Sequence, residues 1–208
     1  VPVAFIGKSP FALLVKAESP IMSIQDLIAR SKAAPDTVSI GNEGPRSFGG
    51  IIARLVNARS GARANLVAYS NVGVAVQNVI GGQTDAVVAD VASTAQLVRQ
   101  GRLRMLAVTT GKRIPAWAQV PALAEVIPGF DMSGWFTLVA PTGTPATAIA
   151  RMHKEVNTLL ADKDMADRIL TVGPIAEPLA SPDAAAQFLK DEHPRRGAAA
   201  QELGLVPE

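Results

Sequence analysis

The chain alternates short aliphatic runs with longer segments of helical period, and this alternation limits the possible folds more than any other feature. Aliphatic runs bounded by turn residues predict buried strands, and apolar residues that recur every three or four positions predict helices packed against them. The predicted strands cover residues 11–15, 38–41, 65–69, 86–89, 103–109, 136–140 and 175–179. The pattern predicts an α/β fold built from βα units around a mainly parallel sheet.

The helices are predicted from capping residues and apolar periodicity. Ser23 is a candidate N-cap for a helix over residues 23–32, with Asp26 in the first turn. Further helices are predicted after Ser47, Tyr69, Ala92, Thr144 and Ser181, the last two with Pro145 and Pro182 at the first helical position. Pro194 is expected to kink or end the last helix because it lacks an amide hydrogen, so that a separate helix covers residues 195–203.

Composition excludes several classes of function. The chain has 208 residues, 48% of them hydrophobic, which is enough for a substantial core. Its 20 Lys and Arg residues are scattered among 18 Asp and Glu residues, so no basic stripe is present and nucleic acid is not an expected partner. The absence of cysteine excludes disulfides, thiol catalysis and thiolate metal sites. Residues 1–10 show no signal-peptide pattern, so a signal peptide, where one existed, is expected to have been removed.

Two strand-to-helix loops, residues 41–47 and 70–74, are candidate anion-binding sites. Free amides at a helix N-terminus hold carboxylates or phosphates, and glycines let the backbone approach the ligand. Ligands of open α/β sheets bind beyond the carboxyl ends of the strands, where both loops are predicted to lie. Two other interpretations remain open: both loops are ordinary turns, or residues 41–44 are a broken dinucleotide-binding motif.

The remaining polar residues give weaker indications of chemistry. Asp85 and Asp90 flank a predicted strand, which suggests either acid/base or metal chemistry, or simple solvation and helix capping. Asp90 and Glu43 are the general-base candidates of an enzyme hypothesis, but no nucleophile, metal set or complete cofactor loop accompanies them. His153 and His193 are both predicted to lie on the surface. The sequence therefore predicts no catalytic residue, no metal site and no cofactor.

A known family matches the chain along nearly its whole length. Residues 135–145 read Trp-Phe-Thr-Leu-Val-Ala-Pro-Thr-Gly-Thr-Pro. This segment resembles the Trp-x-Gly-Leu-x-Ala-Pro-x-Gly-Thr-Pro motif of the Bug-type receptors of the tripartite tricarboxylate transporter family, and departs from it only at Thr137. Similar matches follow in order at residues 9–15, 82–85, 101–109 and 120–125.

The resemblance implies a type II periplasmic-binding-protein-like fold with two lobes joined by two crossover strands. The first lobe would comprise residues 1–10 and 135–208 and lack its N-terminal part, and the second would comprise residues 11–134. It further implies a periplasmic receptor, without enzymatic activity, that binds a small carboxylate such as an organic acid or acidic amino acid. Its partners would be membrane transporter subunits, and a homodimer through the incomplete first lobe is a further expectation.

The resemblance also implies that the two loops bind the carboxylate. The expected ligand-binding residues are Gly44, Pro45, Arg46, Ser47, Ser70, Asn71, Val72, Gly73, Val74 and Asp90. Backbone amides within residues 44–47, except at Pro45, which has no N–H, and of residues 72–74 would donate hydrogen bonds, together with the side chains of Ser47, Ser70 and Asn71, while Asp90 borders the site. The loops depart from the family at residues 69–74, where relatives tend to have Tyr-Lys-Gly-x-x-Pro, and at Gly50, where they often carry His.

One alternative function shares the fold. The ligand-sensing domains of LysR-type transcription regulators have two lobes and a comparable size. A regulator would carry a helix-turn-helix segment ahead of Val1, whereas a receptor would carry a signal peptide there.

Overall fold

The structure of the chain is a computed structural model that describes residues 1–205, with residue 172 described by its backbone alone. The predicted first lobe extends to residue 208, so residues 206–208 of that prediction lie outside the described part. The chain divides into two compact units. Unit 1 comprises Val1–Ser9 and Gly134–Glu208, and unit 2 comprises Pro10–Ser133. That these units correspond to the predicted lobes, residues 1–10 with 135–208 and residues 11–134, stays a prediction.

Unit 2 has an α/β fold, in which helices connect the strands of a β-sheet. Strand β1, Pro2–Lys16, begins in unit 1 and continues into unit 2. The elements that follow are α1 Ile24–Ala33, β2 Ser39–Asn42, α2 Phe48–Ser60, β3 Asn65–Ala68, α3 Val72–Ile80, β4 Ala86–Asp90, α4 Val91–Arg99 and β5 Leu103–Val108. Two short 3-10 helices, Pro115–Trp117 and Leu123–Glu125, precede the return to unit 1.

The strands of this sheet are ordered β3-β2-β4-β1-β5. Strand β2 lies parallel to both β3 and β4, and β1 is antiparallel to β4 and β5. The first four residues of β4 are completely buried, which is typical of a strand covered by helices on both faces. Leu13 and Leu14 of β1 and Ile40 of β2 are also completely buried, so the core of unit 2 lies around the central strands.

Unit 1 combines strands and helices around the first half of β1. Its other elements are β6 Ser133–Val139, α5 Ala146–Ala161, α6 Lys163–Val172, β7 Ile175–Ala176 and α7 Pro182–Glu202. Both β6 and β7 pair with β1. The Phe5 ring lies 4.4 Å from the Phe188 ring, and Trp135 meets Phe188 edge-on at 6.0 Å between centroids. This aromatic cluster connects β1, β6 and α7 in the core of the unit.

The predicted α/β class and two-lobed binding-protein fold are confirmed, and every predicted strand is present. The prediction of a mainly parallel sheet is wrong, because the long strand β1 is antiparallel to β4, β5 and β7. Strand β1 begins well before residue 11 because Pro10 does not interrupt it. Residues 7 and 8 pair with β7, while residues from 11 onward pair with β4 and β5. Pro10 lies where the strand changes its partners, a position that tolerates the loss of an amide donor.

Two local predictions about unit 1 are wrong, and one of its helices was not predicted. Thr144 does not cap α5, because its hydroxyl donates to the Pro141 carbonyl at 2.9 Å and Pro145 occupies the capping position. Helix α6 was not predicted as a helix. Helix α7 does not end at Pro194 but runs through it. Glu192 accepts from Arg195 at 2.7 Å and from Arg196 at 3.2 Å, and these bonds support the turn where the proline removes a backbone hydrogen bond.

Candidate functional site

The predicted ligand-binding residues all lie along one edge of the unit 2 sheet. Because β2, β3 and β4 are parallel neighbours, their carboxyl ends meet at the same edge. Asn42 pairs with Ala68, and Asp90 pairs with Phe11 of antiparallel β1. Helices α2, α3 and α4 therefore begin side by side, with their positive dipole ends directed to this edge.

The loop before α2 is held by short-range hydrogen bonds. The buried Asn42 side chain accepts from the Gly44 amide at 2.9 Å. Ser47 caps α2 by accepting from the Gly50 amide at 2.9 Å, and its hydroxyl donates to the Gly44 carbonyl at 2.8 Å. Two predicted donors, the Gly44 amide and the Ser47 hydroxyl, are thus engaged within the loop, while Pro45 and Arg46 are exposed.

The start of α2 is built for close approach of this loop to the helix. A Cβ added to Gly50 would lie 1.9 Å from the Gly44 carbonyl oxygen. A Cβ on Gly49 would lie 2.2 Å from Oε2 of Glu43. The Gly49-Gly50 pair therefore lets the loop backbone and the Glu43 carboxylate pack directly on the first turn of α2. The consecutive glycines are the sequence signal for this packing, but they do not identify the residue that occupies the space.

The start of α3 is more open. Asn71 caps the helix by accepting from the Val74 amide at 3.0 Å, and its Nδ2 lies 3.4 Å from the Ser70 hydroxyl. Ser70, Asn71 and Gly73 are exposed. The amides of Val72 and Gly73 belong to the first turn, where no intrahelical acceptor is available. This loop therefore presents backbone donors and a neutral capping side chain to its surroundings.

Asp90 begins α4 as its N-cap. Its Oδ1 accepts from the Ser93 amide at 2.8 Å, and its Oδ2 accepts from the Ser93 hydroxyl at 2.8 Å. Both carboxylate oxygens are thus engaged at the helix end. The side chain is half-buried at the sheet edge, beside the carboxyl end of β2.

Asp85 and Asp90 do not form a carboxylate pair. They lie at opposite ends of β4, roughly 16 Å apart at the usual rise of a strand. Asp85 accepts from the Ser39 amide at 2.8 Å and from the Ser39 hydroxyl at 2.7 Å at the far edge of the sheet, beside a shallow cavity also lined by Arg30. Within residues 1–205, no group of three or more acidic, histidine or cysteine side chains is placed to hold a metal ion.

Phe11 forms part of the same sheet edge. Its ring meets Phe48 of α2 edge-on at 5.1 Å between centroids. The buried Thr109 hydroxyl, just beyond β5, accepts from the Phe11 amide at 3.2 Å. These contacts fix the backbone of β1 beside Asp90. Sequence reasoning identified the loops but not the supporting roles of Asn42, Gly49 and Thr109, which depend on contacts formed by the folded chain.

In the part of the chain that the structure describes, no helix has both the length and the apolar character needed to cross a bilayer.

Curated relatives place the chain in a group of bacterial proteins. It is 31% identical over 206 residues to Protein BugT of Bordetella pertussis, an alignment that covers 98% of this chain and 63% of BugT. A protein of Bordetella bronchiseptica is 32% identical over 172 residues, which are 83% of this chain and 51% of that protein. The chain thus spans between half and two thirds of the length of these relatives.

Solved structures show the same fold. The R. palustris protein Rpa4515, solved with adipate, has a TM-score of 0.90 and 26% identity, with 100% of this chain and 69% of that chain covered. The periplasmic binding protein BugD has a TM-score of 0.84 at 23% identity, with 100% of this chain and 70% of that chain covered. These neighbours establish the two-lobed binding-protein architecture.

A family model matches nearly the whole chain. The model described as "Tripartite tricarboxylate transporter family receptor" matches residues 1–205. The family consists of solute-binding receptors and not of enzymes, so the enzyme hypothesis for Asp90 and Glu43 has no support from it. With nearly the whole chain matched, this protein belongs to the receptor family of the tripartite tricarboxylate transporters.

Proposed function

We propose that the protein is an extracytoplasmic solute receptor that binds a small carboxylate and delivers it to a membrane transporter. Family membership supports the receptor role, and the adipate bound to the similar R. palustris protein supports a carboxylate ligand. The observation that carries the site assignment is the convergence of three helix N-termini, those of α2, α3 and α4, on one sheet edge. Helix N-termini bind anions through free amides and the helix dipole.

Within this proposal, units 1 and 2 are the two lobes of the receptor. The ligand carboxylate would accept hydrogen bonds at the start of α3, from the amides of Val72 and Gly73 and from the side chains of Ser70 and Asn71. The loop of residues 44–47 would line the same site. Ser47 would contribute mainly by holding this loop in shape, because its hydroxyl already donates to Gly44. Asp90 would border the ligand from the start of α4.

The first experiment measures binding by the full chain. Thermal unfolding is followed with and without mono-, di- and tricarboxylates, because a ligand that binds only the folded state stabilises it by about 2.7 kcal/mol at 100 times its Kd. A reproducible rise in Tm with one acid is the expected result, and titration calorimetry then gives its Kd. A cooperatively melting protein that no acid stabilises would contradict the proposal.

A double variant locates the site. Ser47→Ala with Asn71→Ala removes both capping side chains at the edge, and we expect at least a tenfold loss of affinity from about 1.4 kcal/mol or more of lost interaction. The matched control is Ser23→Ala, which removes an equivalent N-cap from α1 at the opposite edge of the same sheet. Unchanged binding in the double variant would contradict the site assignment, whereas an equal loss in both variants would indicate a general effect of lost stability.

Delivery to a transporter and a periplasmic location are the further parts of the proposal. Uptake of the identified acid by bacterial cells that express the transporter subunits would depend on the receptor gene, and would fall in cells that carry the Ser47→Ala, Asn71→Ala form. A regulator of the LysR type would instead leave uptake by pre-formed transporter unchanged. The family match favours the receptor.

Self-association through unit 1 stays a prediction. Several large apolar side chains of this unit are exposed, among them Phe136 at 48% and Val139 at 61% in β6, and Met152 at 50% and Leu159 at 54% in α5. Exposed apolar side chains favour association in water when they lie together on the surface. Light scattering coupled to size-exclusion chromatography would give the mass of a dimer if the prediction is right and that of a monomer if it is wrong.

A further inference from the structure

We infer that Glu43 is a specificity-determining residue, which selects carboxylates that also carry a hydrogen-bond donor, such as a hydroxyl or ammonium group, over plain dicarboxylates. The inference rests on the proposed function and concerns the same sheet edge. It follows from how resident acidic groups are distributed among the three helix N-termini that meet there.

The N-terminus of α2 already has an anion of its own. Glu43 follows β2 directly, and its carboxylate packs on Gly49 in the first turn of α2, in the space that a Cβ would fill. Its Oε2 lies 3.3 Å from the Ser47 hydroxyl. The Glu43 carboxylate thus places a negative charge beside the first turn of α2, where the positive end of the helix dipole lies.

The N-terminus of α4 is occupied in the same way. Asp90 caps this helix with both carboxylate oxygens. None of the three helices has an acidic residue in its first turn, but α3 differs from the other two because its cap is the neutral Asn71 and no acid precedes it in the loop. An incoming carboxylate therefore meets a resident acid at α2 and at α4 but none at α3. Like charges at close range repel, so the start of α3 is the preferred position for the ligand carboxylate.

The position of Glu43 then determines what the rest of the ligand must offer. Strands β2 and β3 are neighbours, about 4.8 Å apart, so the loops that follow them lie within reach of one small molecule. A ligand carboxylate on α3 places its neighbouring substituents toward the α2 loop. A hydroxyl or ammonium group can donate to Glu43, whereas a second carboxylate in that place is repelled.

The test uses four probes with the full chain: succinate, malate, aspartate and adipate. Succinate, malate and aspartate share one dicarboxylate skeleton and differ only in hydrogen, hydroxyl or ammonium at the second carbon. We expect malate and aspartate to bind at least about tenfold more tightly than succinate, because hydrogen bonds to charged groups contribute about 1.5–3 kcal/mol. Adipate lacks a donor substituent and is expected to bind as weakly as succinate.

The diagnostic variant is Glu43→Gln, which removes the charge and keeps nearly the same shape. We expect this variant to bind succinate more tightly and aspartate less tightly, so that the ratio of their Kd values falls to within about threefold. Titration calorimetry measures both Kd values. Glu18→Gln removes an exposed acid elsewhere in unit 2 and should leave the preference unchanged. An equal melting temperature for the two variants would confirm that the Glu43→Gln chain is folded.

The outcomes separate this inference from the proposed function. Binding of any probe without a preference for donor-bearing acids, or a preference that survives Glu43→Gln, would overturn the role of Glu43 and leave the receptor proposal intact. Tight binding of adipate with weak binding of malate and aspartate would also overturn the role of Glu43 and leave the receptor proposal intact. If none of the four acids binds the folded chain but another acid of the thermal-unfolding panel does, the role of Glu43 is overturned and the receptor proposal stands. Only the absence of binding by every acid of that panel would contradict both.

Discussion

Arg113 donates two parallel hydrogen bonds to Glu125, with Nε to Oε1 and Nη2 to Oε2 distances of 2.7 Å each. Arg113 also donates to the Ala118 carbonyl at 3.1 Å, and Glu125 accepts from the Ala122 amide at 2.9 Å. The ion pair therefore connects two positions, twelve residues apart, within the segment between β5 and β6. The hydrogen bonds from Arg113, and next the one from Ala122, lower the pKa of Glu125 from 4.5 to about 2.

This shift predicts how the stability of the protein depends on pH. Because the pKa of Glu125 is lower in the folded state, the ion pair stabilises the fold above the unfolded value of 4.5, and this contribution is lost as the pH falls toward 2. Both side chains are near half exposed, so the effect is modest. Glu125→Gln should lower Tm at pH 7, and the difference from the wild type should shrink at pH 3. A difference that stays constant between the two pH values, in melts of both proteins, would exclude this explanation.

Gly50→Ala is predicted to disrupt the loop before α2. The new Cβ would lie 1.9 Å from the Gly44 carbonyl oxygen, so the loop of residues 43–47 must move. We expect a loss of about 1–3 kcal/mol in the free energy of unfolding, as for overpacked sites, together with weaker ligand binding. Denaturant titration and calorimetry measure the two effects.

Gly197→Ala provides the matched helical control. Gly197 lies inside α7, and a Cβ there would meet nothing within 4 Å. We therefore expect this substitution to stabilise the protein by about 0.5–1 kcal/mol, because alanine loses less backbone entropy on folding. A similar loss of stability in the two variants would show that the contact with Gly44 is not the cause.

Asn71→Asp is predicted to separate the capping of α3 from anion binding. Aspartate caps helices as well as asparagine does, so the free energy of unfolding should change by less than about 0.5 kcal/mol. The added negative charge at the start of α3 should nevertheless weaken carboxylate binding by tenfold or more, since it repels the ligand. If the variant and the wild type bind the carboxylate with equal affinity at low ionic strength, the carboxylate does not bind at the start of α3.

His153→Ala is predicted to destabilise unit 1. His153 was expected on the surface, but the structure places its Nδ1 3.0 Å from the Val3 carbonyl oxygen and its Nε2 3.2 Å from the Ala180 carbonyl oxygen. The side chain thereby connects α5 to β1 and to the start of α7. We expect a loss of about 1–3 kcal/mol in denaturant titrations, since a part-buried carbonyl loses its donor. His193 is exposed, so His193→Ala should change stability by less than about 0.5 kcal/mol.

The sequence predicted the elements that depend on local interactions. Ser23, Ser47 and Ser181 each accept a hydrogen bond from an amide three residues later, and a serine before an apolar periodic segment is sufficient to predict this cap. The strand order was not predicted, because it depends on pairing between distant segments. The two candidate loops were identified from their glycines and polar residues.

Contacts that the sequence pattern does not reveal decided the remaining features. Helix α7 continues through Pro194 while Glu192 holds Arg195 and Arg196 around the missing hydrogen bond, and helical propensity alone does not indicate this outcome. The loop residues were predictable from sequence, but their meeting at one edge requires β2 to lie between β3 and β4. The sequence by itself determined the strands and most of the helices and caps, because those depend on neighbouring residues. Only the tertiary structure decided which helix ends converge, because this depends on the pairing of strands far apart in the chain.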